Sequence, residues 1–169
     1  MIRAAPMLIA VISDTHLPRG GRTLPDECVR RIAEADLLLH AGDFSSAPVM
    51  RALAAIGPPL VGVHGNVDSA ELRRLLPAER VVEAEGARIA MLHDAGPRPG
   101  RLGRMRARFG DRAQALVFGH SHMPLHERAD DGFQLFNPGS PTERRRAPRH
   151  TMGMARVEGG ELRFELVEL

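Results

Sequence analysis

An α/β fold is predicted by three features of the chain. The first half alternates short apolar runs with segments of helical periodicity, and the second half turns to strand pairs joined by tight-turn residues. Nearly every apolar run also ends in a small polar cluster. Short, β-branched apolar runs read as buried strands, and strands separated by helices pair in parallel through right-handed crossovers.

Met7–Ile12 is a continuous apolar run closed by Ser13 and Asp14, the pattern of a buried strand. A loop rich in Gly and Pro follows. Thr23 is placed to cap a helix over 23–35, with Pro25 and two acidic residues in its first turn. Leu24, Cys28, Ile32 and Ala35 share one face of that helix. Leu37–His40 is a second strand, after which Ser45 or Ser46 caps a helix ending near Ile56, before the breaker Gly57-Pro58-Pro59. Residues 60–63 make a third strand and 69–76 a third helix, stopped by Pro77. Strands over 80–83 and 88–92 close around Glu85-Gly86 as a hairpin. An Arg-rich helix over 101–109 precedes another buried strand at 115–118. From Pro124 onward only strands are expected. Residues 125–128 and 133–136 flank Asp130-Asp131-Gly132, and 151–157 and 161–167 flank Glu158-Gly159-Gly160, both good turn signals. No linker separates these parts, so one domain over 1–169 is expected.

Composition narrows the function classes. At 169 residues, 43% hydrophobic and 26% charged, the chain suits a globular domain with one sizeable core. The balance of 23 basic against 21 acidic residues leaves +2, and every basic residue is Arg. That weak charge calls for no polyanionic partner, and the absence of Trp and Tyr leaves little surface for stacking bases, so nucleic acid is disfavoured. The single cysteine, Cys28, excludes an internal disulfide. The first apolar run is too short for a signal segment or a membrane span. A cytoplasmic setting is therefore expected, without a membrane partner; a homo-oligomer is compatible with it.

The polar clusters carry the chemistry. Asp14-Thr15-His16, Gly42-Asp43, Gly65-Asn66, His93 and Gly119-His120-Ser121-His122 each follow a predicted strand. In an open parallel sheet, loops beyond the carboxyl ends of the strands share one rim, where ligands bind. Asp14, His16, Asp43, Asn66, His93, His120 and His122 are then seven candidate ligands in one crevice, too many for one cation and suited to two. Carboxylate, imidazole and amide oxygen fit manganese, with nickel, iron or zinc as alternatives. Any one cluster alone is ordinary turn chemistry; the joint pattern is not.

These motifs, with Asn137-Pro138-Gly139-Ser140, resemble the calcineurin-like metallophosphoesterases, most closely their small single-domain bacterial and archaeal phosphodiesterases. The resemblance covers the chain from Met7 to about Ser140. It implies a four-layer α-β-β-α sandwich, two mixed sheets flanked by helices, with a dinuclear metal site at the carboxyl ends of the strands. By that likeness Asp14, His16 and His122 would hold one ion, Asp43 would bridge, and Asn66, His93 and His120 would complete the second. A hydroxide between the ions would attack phosphorus in a small phosphate ester. Two departures stand out. Val67 occupies the place of a histidine thought to bind phosphate or protonate the leaving group, and Asp94 stands where glycine is usual.

Without that histidine, Asp68 and His64 are the nearest candidates for catalytic work beside Asn66. Asp68 could equally support a ligand histidine or cap the following helix. His40 could orient Asp43 or simply be a satisfied core histidine. Arg145, within Arg144-Arg145-Arg146, could grip phosphate oxygens, although charge runs are more often solvated. A catalytically weak protein-binding scaffold of the same fold is the competing function, and a nuclease or nucleotide phosphatase a lesser one.

Overall fold

The computed structural model describes residues 5–169; residues 1–4 of the expected domain lie outside the described residues. Ten strands and four helices follow in the order β1 Met7–Ile12, α1 Asp26–Ala33, β2 Leu37–His40, α2 Ala47–Ala54, β3 Leu60–Gly62, α3 Ala70–Leu75, β4 Glu79–Ala84, β5 Ala87–Leu92, α4 Arg101–Phe109, β6 Ala115–Val117, β7 Leu125–Arg128, β8 Gln134–Asn137, β9 Thr151–Glu158 and β10 Glu161–Glu168.

The strands form two five-stranded mixed sheets, ordered β10-β9-β1-β2-β3 and β4-β5-β6-β8-β7. In the first, β1 pairs in parallel with β2, and β2 with β3, as the crossover pattern requires. The β9–β10 hairpin adds to the other side of β1, antiparallel. In the second, β5, β6 and β8 run parallel, with β4 and β7 antiparallel at the edges.

Side-chain alternation along β1 shows why the sheets stack. Ile9 and Val11 point to a core shared with Ile89, Met91, Val117 and Phe136 of the second sheet. Ala10 and Ile12 face the other way, onto Cys28 and Ile32 of α1, Leu53 of α2 and Leu72 of α3. The outer face of the second sheet buries Leu116 and Leu135 against Met105 and Phe109 of α4. The result is helices, sheet, sheet, helix: the four-layer sandwich. Cys28 lies buried in the first helical layer, where burial pushes its thiol up to about 12, so it packs rather than reacts.

Helix starts differ in detail from expectation. Helix α1 begins at Asp26, three residues after Thr23, because Pro25 sits at its N-cap in extended backbone and disfavours helical geometry in the residue before it. The third helix is capped by Ser69, whose hydroxyl accepts the Leu72 amide, not by Asp68. The Glu85-Gly86 hairpin turn has positive φ at both residues, as a two-residue hairpin demands.

Candidate metal centre

Loops following β1, β2, β3, β5 and β6 meet at one edge. The crevice is therefore the joint rim of two sheets rather than of one open sheet. Main-chain bonds knit the loops together. Asp14 N donates to Gly42 O (3.0 Å), His16 N to Asp43 O (3.1 Å) and Gly119 N to His93 O (2.9 Å).

Backbone strain is concentrated here. Among the described residues eight non-glycines have positive φ, and Asp14, His16, Asp43, His120 and His122 are five of them. Left-handed backbone costs a residue with a Cβ roughly 1–2 kcal/mol, and such strain persists where surrounding structure enforces it at functional sites. The neighbouring glycines have a steric reason. A Cβ on Gly65 would stand 2.0 Å from Asp43 Oδ1, and one on Gly119 2.0 Å from Ser13 Oγ.

The side chains of these loops converge. Asp14, His16 and His122 bring their donor atoms within 4.8 Å of one another, and so do Asp14, Asp43 and His93; all five are buried. Asp14 Oδ1 lies 3.4 Å from His122 Nε2, 3.8 Å from His93 Nε2 and 3.9 Å from His16 Nε2. Asp43 Oδ2 stands between the groups, 3.1 Å from His93 Nε2 and 3.6 Å from His16 Nε2. Asn66 Oδ1 extends the second group, 3.0 Å from His93 Nε2 and 3.1 Å from His120 Nδ1. All seven residues expected from sequence are thus brought into one cluster.

Hydrogen bonds fix the tautomers. His93 Nδ1 donates to Ala41 O (2.8 Å) and His122 Nδ1 to Glu143 O, which leaves both Nε2 atoms directed at the cluster. Asp14 Oδ2 accepts from Ser13 Oγ (2.8 Å) and from His120 N (3.0 Å), whereas Oδ1 is buried and has no hydrogen-bond partner. An orphaned, buried carboxylate oxygen facing three imidazole nitrogens fits a divalent cation.

The electrostatics agree. Burial pushes the Asp14 carboxyl up to about 7. Burial opposes the charge on His93, but its bond to Asp43 and the charges of Asp14 and Asp43 prevail and push it up to about 8. Asp43 is desolvated too, yet His93, His16 and the Val67 amide hold it below its usual range. Desolvation brings His122 down to about 4 and also lowers His16. Protons on Asp14 and His93 thus offset charge that a cation would otherwise neutralise.

Residues around the cluster act as fasteners. The buried Asp68 carboxylate accepts the amides of Asp43 (3.0 Å), Ser45 (2.8 Å) and Gly65 (2.7 Å). It therefore ties the β2 and β3 loops together and neither bonds a ligand histidine nor caps α3. Val67 N donates to Asp43 Oδ1 (3.0 Å), leaving Oδ2 for the cluster. His40 is a satisfied core histidine: Gly42 N donates to its Nδ1 and its Nε2 reaches Thr15 Oγ1, both 3.1 Å, while burial holds it well below its ordinary range. In the sixth motif, Asn137 Nδ2 donates to Gly119 O (3.0 Å) and Ser140 Oγ to Asp14 O (2.8 Å).

The outlying candidates separate. His64, half-buried, lines a cavity of about 360 Å³ with Asn66, Arg73, His93, Asp94 and Arg108. Arg145 is exposed; its charge nevertheless contributes to lowering His16 and His122. Asp94 Oδ2 lies 3.8 Å from His120 Nε2. Glu143 is an addition that the motifs do not announce: its Oε2 lies 3.8 Å from His16 Nε2. Its place three residues after Ser140 is the available signal, masked by the arginine run that follows.

A four-layer sandwich with carboxylates and imidazoles clustered at the strand ends defines a metallophosphoesterase architecture. Residues 7–160 match the calcineurin-like phosphoesterase superfamily domain, and the chain belongs to that family. It is 33% identical over 164 residues to a "probable metallophosphoesterase" of Methanothermobacter thermautotrophicus, covering 95% of this chain and 92% of that one. A Thermotoga maritima protein solved by NMR is 31% identical with a TM-score of 0.74, covering 96% of this chain and 99% of that one. Vacuolar protein sorting 29 of Cryptosporidium parvum shares the fold at a TM-score of 0.79 and 21% identity, covering 98% of this chain and 99% of that one. No helix among the described residues is long and apolar enough to cross a membrane.

Proposed function

We propose that this chain is a metal-dependent phosphodiesterase that cleaves a small phosphate diester. In this reading it works with a pair of divalent cations, manganese first among Mn, Ni, Fe and Zn. Asp14, His16 and His122 would hold one, Asn66, His93 and His120 the other, and Asp43 would serve both. The observation that carries the proposal is the buried, unpartnered Asp14 Oδ1 faced by three imidazoles. Bound cations supply a water nucleophile at neutral pH and offset charge at the phosphoryl oxygens.

The chain's own residues do the rest. Ala41 and Glu143 carbonyls hold the Nδ1 protons of His93 and His122, keeping Nε2 of each free to coordinate. In this reading the cavity beside Asn66 and His93, which His64 also lines, takes the ester groups, and the residue after Asn66 is the one expected to give a departing group its proton. Val67, 48% exposed, offers none. Diesters with good leaving groups should therefore turn over fastest.

The test uses manganese-loaded protein and bis(p-nitrophenyl) phosphate. Asp43→Ala should bring hydrolysis down to background in protein that is still folded by its melting curve; undiminished turnover in that variant would sink the proposal. A cytoplasmic setting belongs to the same reading, and cell fractionation checks it.

A protein-binding role is the second reading, favoured by an apolar groove of about 530 Å³ between α1 and α2, lined by Leu17, Leu24, Val29, Val49, Leu53 and Ile56 among others. Metal-loaded protein inert toward both diesters and monoesters would shift weight to it.

A further inference from the structure

His16 Nε2 lies near two buried carboxylate oxygens that lack any hydrogen-bond partner, Asp14 Oδ1 at 3.9 Å and Glu143 Oε2 at 3.8 Å. A buried carboxylate oxygen with no donor is costly unless a cation or a proton serves it. The main chain of Glu143 is fixed by the site itself. Its amide donates to Ser140 Oγ (2.8 Å) and its carbonyl accepts from His122 Nδ1. The residue that orients one ligand histidine with its carbonyl thus presents its carboxylate to another. Arg22 Nη1, also buried and without a hydrogen bond, lies 3.4 Å from Glu143 Oε2.

Donor atoms about 2.1 Å from one cation lie roughly 3–4 Å apart, which spans both separations at His16. Glu143 is not among the three residues whose donor atoms lie within 4.8 Å of one another, so to join them its side chain must turn from His16 toward Asp14 and His122.

We propose that Glu143 is a further carboxylate ligand of the cation held by Asp14, His16 and His122, with Arg22 paired to it. The proposal rests on the metal-binding reading above. It makes the two positions unequal. The first gains a second oxygen anion, whereas the second relies on Asn66 and two histidines, so the first binds manganese more tightly and fills first.

Calorimetric titration of MnCl₂ into chelator-stripped protein tests this directly. Wild type should show a tight and a weaker binding step. Glu143→Gln should weaken the tight step about ten- to hundredfold and leave the weaker one in place. Glu143→Asp keeps the charge but withdraws the oxygen by one methylene, and should weaken the same step. Metal-free melting curves should show both variants folded, lowered in Glu143→Gln by the lost pairing with Arg22. Wild-type affinity in Glu143→Gln would overturn the proposal, and so would wild-type affinity in Glu143→Asp, which would leave only a distant charge effect. Wild-type protein that takes up no manganese would instead overturn the metal-binding reading itself.

Discussion

Asp14 and His93 hold protons that a cation must displace. In the metal-free protein burial pushes Asp14 up to about 7; for His93, Asp43 and Asp14 overcome burial and push it up to about 8, whereas desolvation has already brought His122 down to about 4. Metal uptake therefore releases protons below pH 8, and apparent manganese affinity should climb with pH up to about 8 and level off above it. Titrations at half-unit steps from pH 6 to 9 check this; an affinity independent of pH over that range would contradict it. At this scale the sequence is highly legible, because ligand chemistry resides in residue type. Asp14, His16 and His122 can be named without knowing how they meet. Glu143 cannot, since only the Ser140 turn carries it to His16, and no periodicity encodes that approach. Asp68 serves neither of the roles that its spacing after Asn66 suggests, because the three amides that it collects come from separate loops.

Loops are the elements that make the site, and Asp68 is the clasp between two of them. Replacing it by alanine leaves three amides without their acceptor, each costing roughly 1–3 kcal/mol when buried. Asp68→Ala should accordingly melt several degrees below wild type and bind manganese more weakly, because Asp43 and Gly65 lose their common anchor. Melting curves with and without metal decide the matter, and a variant indistinguishable from wild type would refute the clasp. Apolar runs and turn residues reveal the strands almost to the residue, as at Met7–Ile12 and at the Glu85-Gly86 turn. The start of α1 is less legible, since Pro25 competes with Thr23 for the role of first residue, and the extended backbone at Pro25 prevails.

For the whole molecule, two sheets share one rim, and that is what lets loops from both halves of the chain meet. The alternation of helix and strand foretells the parallel pairing of β1, β2 and β3. It does not reveal that the β9–β10 hairpin returns to flank β1, because an antiparallel edge strand reads the same wherever it docks. The resemblance to metallophosphoesterases supplies the four layers that periodicity cannot. The sandwich gives the site a rigid base, and the exposed, apolar Val67 leaves it short of an acid. Under the proposed function this combination favours esters whose leaving groups need no proton. The most direct measurement compares initial rates on bis(p-nitrophenyl) phosphate and p-nitrophenyl phosphate for chelated and manganese-reloaded wild-type protein. Background rates are expected after chelation, then recovery with manganese and faster turnover of the diester. Hydrolysis unaffected by chelation, or a reloaded protein that acts on the monoester alone, would contradict a metal-dependent phosphodiesterase.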